Sequence, residues 1–305
     1  MDIDVVIVNW NSGKQIRDCI ASLRASIAAG QVRVIVVDNG STDGSDQGLE
    51  QEGVSVLRTG ANLGFARACN LGAAEGSSPF VLFLNPDAAV YPGTLDYVLG
   101  YMRDPHNAQV GVCGVQLEEE SGHVARSCTR LPTTASFLAH AVGLDRIQPR
   151  LGFFMAEWAH DNDRTVDHVI GAFYLIRREL FDRLQGFDER FFVYLEDLDL
   201  SKRVKDQGYR IEFLTKVKAF HKGGGTSDQV KARRLFYSLR SRILYAFKHL
   251  GRASASAVLL ATVVPEPILR VGLALLKRKG VGETLQAYRL LFGWLGEWLR
   301  TGKTR

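Results

Sequence analysis

The chain opens on Met1-Asp2-Ile3-Asp4, with neither the basic stretch nor the apolar run of a secretion signal, and enters a strand-like segment at once. That start is the one expected of a cytoplasmic protein. Cysteine is scarce: Cys19, Cys69, Cys113 and Cys128 are the four, and no two are spaced as Cys-x-x-Cys. The spacing argues against a zinc ribbon or a disulfide scaffold and leaves buried thiols in a reducing compartment. No Gly-x-Gly-x-x-Gly follows the first apolar run, so the fingerprint of a dinucleotide oxidoreductase is missing. Nor does an uninterrupted apolar run reach the roughly 20 residues of a simple membrane span. Ala257–Val264 meets Pro265-Glu266-Pro267, and the continuation, Ile268–Leu276, contains Arg270.

What the 305 residues do contain is a globular balance, 46% hydrophobic and 23% charged, enough for one large domain with an appendage. The charge is unevenly divided. From Lys222 onward, 16 Lys and Arg face 4 Asp and Glu, a net +12, whereas residues 1–221 hold 22 against 29, a net −7. An acidic body argues against a nucleic-acid-binding domain, and the basic tail points to anionic lipid ahead of RNA.

Four apolar runs of strand length, Asp4–Val8, Val32–Val37, Val54–Leu57 and Phe80–Leu84, alternate with helix-like segments over residues 1–90, the signature of an α/β sheet. Three of them end in polar clusters: Asn9-Trp10-Asn11-Ser12-Gly13, Asp38 to Ser45, and Asn85-Pro86-Asp87. The helix expected from Lys14 to about Ala28 makes the first two strands a parallel pair, so their clusters share one edge. Ligands bind at the carboxyl edge of an open α/β sheet. There Asp38 can accept from a pyrimidine imide or a ribose hydroxyl, and Asp87 can hold a hard divalent cation against a diphosphate. Plainer roles compete, since Asp38 could cap the next helix and Asn85 and Asp87 are ordinary turn residues.

Further on, Val110–Val115 reads as a strand, residues 117–168 as loops and strands around a second pocket, Val169–Arg177 as a strand and Tyr209–Leu214 as another. Glu196, Asp197 and Asp199 fall within four residues among Phe191, Phe192, Tyr194, Leu195, Leu198 and Leu200. Desolvation there raises a carboxylate's pKa and suits it to act as a base, while acidic residues in a helix's first turn also complement its dipole. One helical turn separates Glu196 from Asp199, so at most two of the three face a substrate together. His221 borders the glycine-rich residues 222–227, a setting that suits ligand contact.

In order and separation, residues 8–11 (VNWN), 36–45 (VVDNGSTDGS), 62–70 (NLGFARACN), 83–87 (FLNPD), 171–178 (GAFYLIRR), 186–203 (GFDERFFVYLEDLDLSKR) and 221–227 (HKGGGTS) resemble the family 2 glycosyltransferases. The likeness is to their rhamnosyltransferase-like subgroup, which elongates bacterial surface polysaccharides, and it covers roughly residues 3–250. It implies a GT-A fold, a Rossmann-like, mostly parallel sheet flanked by helices, with a C-terminal helical extension. It further implies a catalytic domain over 1–227, its nucleotide-sugar half about 1–115 and its acceptor half about 116–227. By the same resemblance Asn9, Trp10 and Asp38 contact the base and ribose, and Asn62, Gly64, Phe65, Arg67 and Asn70 form the wall beneath the nucleotide. Asn85 and Asp87 stand at the diphosphate, where Asp87 and His221 hold Mg²⁺ or Mn²⁺. Asp197, beside Glu196, matches the base that deprotonates the acceptor. Many relatives carry Asp where this chain has Asn85, which leaves the metal one carboxylate fewer. The implied reaction is inverting transfer of a hexose to a hydroxyl of a glycan or lipid-linked glycan, with dTDP-L-rhamnose the favoured donor. UDP-galactofuranose, UDP-glucose or another hexose donor is an alternative, as is a non-catalytic nucleotide-sugar-binding scaffold.

The tail, residues 228–305, lies outside those strings. Leu235, Leu239, Ile243, Phe247 and Leu250 recur at helical spacing with Arg and Lys between them, and Leu285–Leu299 carries Trp294 and Trp298. Basic amphipathic helices of this kind lie in a membrane interface, here the inner face of the cytoplasmic membrane, or pack on a second subunit as a homodimer.

Overall fold

The structure, a computed structural model, describes residues 1–26, 31–223 and 230–302. The first half runs β1 (Ile3–Asn9), α1 (Gln15–Ser26), β2 (Val32–Asp38), β3 (Ser55–Arg58), α2 (Phe65–Ala74), β4 (Phe80–Leu84), β5 (Ala88–Val90), α3 (Thr94–Arg103) and β6 (Val110–Glu118). It continues through β7 (Cys128–Thr129), α4 (Thr134–Val142), β8 (Arg164–Val166), β9 (His168–Val169), β10 (Phe173–Arg177), α5 (Arg178–Arg183), α6 (Glu196–Asp206) and β11 (Arg210–His221). Four helices end the chain: α7 (Lys231–His249), α8 (Arg252–Val263), α9 (Pro265–Leu276) and α10 (Val281–Thr301).

Nine strands form one mixed sheet in the order β3-β2-β1-β4-β10-β6-β11-β5, with β8 on β11. β1 and β4 are buried along their whole lengths, as continuous apolar runs require when helices cover both faces. β1 pairs in parallel with β2 and β4, and Asn9 stands opposite Asp38 in that register. α2 presses closely on the sheet at Gly72, where a Cβ would come within 2.5 Å of Val6 Cγ1. Below it, Asp4 is buried and accepts from Ser78 N at 2.7 Å and from Arg178 Nη2 at 2.8 Å. The four cysteines are buried and free.

The chain separates into two compact units, one of Met1–Leu131, Trp158–Glu189 and Glu196–Thr226, the other of Pro132–Glu157, Arg190–Leu195 and Ser227–Arg305. Residues 132–157 hold α4, which packs on α8 within the second unit. A capping box between Thr133 and Ser136 starts α4. The expected strand over 169–177 is interrupted by a turn at Gly171-Ala172, and β11 runs on past Leu214 to His221. His221 is thus the last residue of β11, bordering the glycine-rich segment, of which residues 224–229 lie outside the described residues, as do 27–28 of the first expected helix.

In the helical unit, Arg242 on α7 grips Glu266 on α9 with Nη1 and Nη2, at 2.6 and 3.2 Å, and Arg270 adds a third contact at 2.8 Å. Arg242 and Glu266 are both buried. Residues Arg252–Leu276, which include an 18-residue window of mean hydropathy 1.8, are long and apolar enough by length and composition to cross a membrane. The Pro-Glu-Pro segment interrupts that stretch only at Val264, between α8 and α9. A span would have to carry the Glu266 ion pair into hydrocarbon, so the bundle is the arrangement that satisfies it.

Candidate active site

The carboxyl ends of β1 and β2 are knitted into one polar network. Asn9 donates from Nδ2 to Asp38 Oδ1 at 2.9 Å and to Ser45 Oγ at 2.9 Å, while Ser12 Oγ donates back to Asn9 Oδ1. Asp38 Oδ2 accepts from Ser41 N at 3.2 Å, so the carboxylate turns its own loop as well as bonding to Asn9. Asn39, one residue on, links this loop to the next: its Oδ1 accepts from Leu63 N at 2.9 Å and its Nδ2 donates to Asn62 Oδ1 at 3.1 Å. Asn62 in turn accepts from Gly64 N at 3.0 Å. Gly40 turns between the two loops with φ +80°, and a Cβ there would lie 2.8 Å from the backbone of Ala61. Trp10 and Phe65 are half-buried beside this edge.

Asp87 follows β4 on the same edge, and β5 brings it to His221. β5 pairs antiparallel with β11, placing Ala88 opposite His221, and Lys222 N donates to Asp87 O at 3.1 Å. His221 Nε2 lies 3.4 Å from Asp87 Oδ1 and 3.4 Å from Asn85 Nδ2. A half-turn of the Asn85 amide would present its oxygen to the same point. One carboxylate, one imidazole and one amide oxygen suit a divalent cation whose remaining positions are filled by diphosphate oxygens. Among the described residues no group of three or more His, Cys, Asp and Glu gathers as a metal site, so the protein alone offers an incomplete shell.

Asp197 is held at both oxygens. Oδ2 accepts from Gly171 N at 2.8 Å and Oδ1 from its own helix at Leu198 N, also 2.8 Å. His168 Nε2 lies 3.6 Å from Oδ2, and its Nδ1 bonds Ser201 Oγ at 2.9 Å. Burial pushes the His168 pKa down, which favours the neutral ring over a counter-charge to Asp197. The turn that clamps Asp197 is tied to the cation edge, because Asn85 N donates to Ala172 O at 3.2 Å. Glu196 is different: it is buried, its Oε2 has no hydrogen-bond partner, and burial together with the Asp197 charge holds its carboxyl well above the usual range. Asp199 is committed to Arg203 at 2.9 Å. Leading into α6, Tyr194 and Leu195 have φ of 70° and 63°, two consecutive left-handed residues that are not glycine.

Two sequence-selected residues take bracing positions. Asn70 spends both ends of its amide on the Phe187 backbone, at 2.9 Å each way, and Arg67 stands 3.8 Å from Glu189 on the surface. His168, Gly171 and Asn39 were not singled out. The last lies inside the polar run after β2, where its type alone could have flagged it; His168 has no such signal, being 29 residues from Asp197 in the chain.

Residues 4–185 match the family described as Glycosyl transferase family 2. The chain is 31% identical over 82% of its length to N-acetylglucosaminyl-diphospho-decaprenol L-rhamnosyltransferase of Mycobacterium tuberculosis, covering 85% of that protein. It is 26% identical over 54% of its length to rhamnosyltransferase WbbL of Escherichia coli K12, covering 61% of it. Among solved structures, the mannosyltransferase PcManGT of Pyrobaculum calidifontis, in complex with GDP-Man and Mn²⁺, superposes with a TM-score of 0.55 at 17% identity, over 99% of this chain and 76% of that one.

Proposed function

The chain belongs to glycosyl transferase family 2, and from that membership we propose that it is an inverting rhamnosyltransferase of cell-surface polysaccharide biosynthesis. The donor is dTDP-L-rhamnose and the acceptor a hydroxyl of a lipid-linked glycan. The observation that carries the reading is the clamped Asp197 on the same edge as Asp87 and His221, in a chain similar to proteins named as rhamnosyltransferases.

In this reading the Asn9–Asp38 edge receives the nucleoside, and Asp87, His221 and Asn85 would hold a divalent cation, Mg²⁺ or Mn²⁺. When bound, that cation supplies Lewis acidity toward the departing diphosphate. The two N–H groups on Asp197 fix its orientation, and Asp197 takes the acceptor's proton as the acceptor oxygen attacks the anomeric carbon. The new C–O bond forms on the face opposite the breaking bond, whose electron pair leaves with dTDP. Burial and the neighbouring Asp197 charge hold the Glu196 carboxyl well above the usual range, so Glu196 resists ionisation beside the proposed base.

The reading extends to the inner face of the cytoplasmic membrane. α9 exposes Ile268, Leu273 and Leu276 and ends at Lys277-Arg278-Lys279, an apolar face with a basic end that suits an anionic lipid interface. Full-length protein should co-sediment with anionic liposomes at low salt, and Ile268→Glu with Leu276→Glu should release it; no sedimentation by the wild type would leave dimerisation as the tail's purpose.

The decisive assay offers dTDP-L-rhamnose and a panel of UDP-sugars with Mg²⁺ or Mn²⁺ and measures nucleotide release in the presence of lipid-linked acceptor. Release from dTDP-L-rhamnose above all others is expected, and preference for a UDP-sugar would reassign the donor. Asp87→Ala should abolish metal stimulation of donor binding; full stimulation in that variant would reduce Asp87 to a turn residue.

A further inference from the structure

Within the helical unit, α7, α10 and the segment Arg190–Leu195 enclose a groove of about 710 Å³, within the range of small-ligand sites. One wall is aromatic. Phe192 stacks on Tyr237 with ring centroids 4.5 Å apart and planes 14° from parallel, and Phe236 lies 5.0 Å from Tyr237. All three rings are half-buried, so part of each is open. Behind them Trp294 is buried, stacked on Trp298, and its indole N–H has no hydrogen-bond partner. The opposite side is α10, which contributes the exposed polar side chains Gln286, Arg289 and Glu297.

Between those polar residues α10 carries Gly293. A glycine inside a long helix costs stability and needs a reason. Neither usual reason applies: Gly293 does not have positive φ, and a Cβ added to it would meet nothing within 4 Å. What the missing side chain provides is open space in the groove, whose lining includes this residue. The groove therefore combines partly open aromatic rings, open space at Gly293 and a rim that both donates and accepts hydrogen bonds. Arg240 and Arg289 also line the groove, but a phosphate would meet Glu297 as well, and a purely apolar chain would leave the rim residues without use. A ring with apolar C–H faces and hydroxyls on its edges fits all three features.

Resting on the glycosyltransferase reading, we propose that this groove binds a neutral saccharide unit of the acceptor glycan, separately from the residue that receives the sugar. The rings supply contact with the sugar's C–H face, Gln286, Arg289 and Glu297 bond its hydroxyls, and the Trp294 N–H is a donor still to be used.

The test titrates the full chain with methyl glycosides of N-acetylglucosamine, rhamnose, galactose, glucose and mannose, read by tryptophan fluorescence and saturation-transfer NMR. At least one glycoside should bind, and Gly293→Leu, which fills the groove, should weaken it about tenfold or more. The exposed double variant Gln286→Ala/Arg289→Ala should weaken it too, and this reports on the groove even if Gly293→Leu fails to melt cooperatively. Absence of binding by the wild type, or binding unchanged in both variants, overturns the proposal. So does inorganic pyrophosphate binding with the same sensitivity, which would make the groove an anion site. Donor binding is measured on the same samples: its loss from the wild type would overturn the rhamnosyltransferase reading while leaving saccharide binding to be judged by itself.

Discussion

Glu196 in the sheet unit and Glu266 in the helical unit are both carboxylates almost wholly removed from water, and they are treated in opposite ways. Glu266 has Arg242 across from it in two-pronged contact and Arg270 one turn along its own helix. Glu196 has Asp197 as its neighbour, an oxygen with no partner, and a pKa driven upward by burial. A buried carboxylate that is fully paired can stay ionised and organise a bundle. One that is buried beside a like charge resists ionisation, at a cost to stability that packing alone does not explain. Such costs cluster at functional sites.

The contrast breaks most visibly at Asp197. Asp197→Asn should lower turnover by about 10²–10⁴-fold with donor binding by calorimetry nearly intact; wild-type turnover in that variant would move the base to another carboxylate. Next comes Glu266→Ala, which strands the buried Arg242 charge. It should destabilise the helical unit by about 3–5 kcal/mol in denaturant melts, and a loss no larger than a surface substitution's would mean that water reaches the pair. The smallest effect sharpens the other side. Because the folded state keeps Glu196 protonated, the wild type loses stability as pH rises above the ordinary glutamate value of 4.5 toward the raised one. Glu196→Gln has no proton to lose, so its stability relative to wild type should grow as pH rises above 4.5. Parallel pH profiles would show that Glu196 ionises normally.

The sheet edge was legible because its signals are local: continuous apolar runs, each ending in polar residues, read directly as β1, β2 and β4 with Asn9, Asp38 and Asp87 beyond them. The apolar run also marked the carboxylates Glu196, Asp197 and Asp199 together, and only the family resemblance singled out Asp197 among them. Its partners were not legible, since His168 and Gly171 meet it only through the packing of α6 on β9. β11 was read short because Thr215-Lys216-Val217-Lys218 breaks the apolar pattern; pairing with β6 shifts register between Leu214 and Lys218 and resumes toward His221. α4 escaped notice because TASFLAHAV has no charged face to mark a helical period, although the Thr133–Ser136 cap was there to be read. The grouping of residues 132–157 with the last helices is a property of tertiary packing, and no local pattern announces it.

The left-handed pair Tyr194-Leu195 bears on how this enzyme would respond to engineering. Each L-residue in that conformation costs roughly 1–2 kcal/mol, so a search for thermostable variants would find Leu195→Gly attractive as a backbone relaxation. The same change would give the entry to α6 more freedom just two residues before Asp197. Selection for heat resistance alone would thus tend to trade away turnover at this point, and a library meant to keep both should hold residues 194 and 195 fixed.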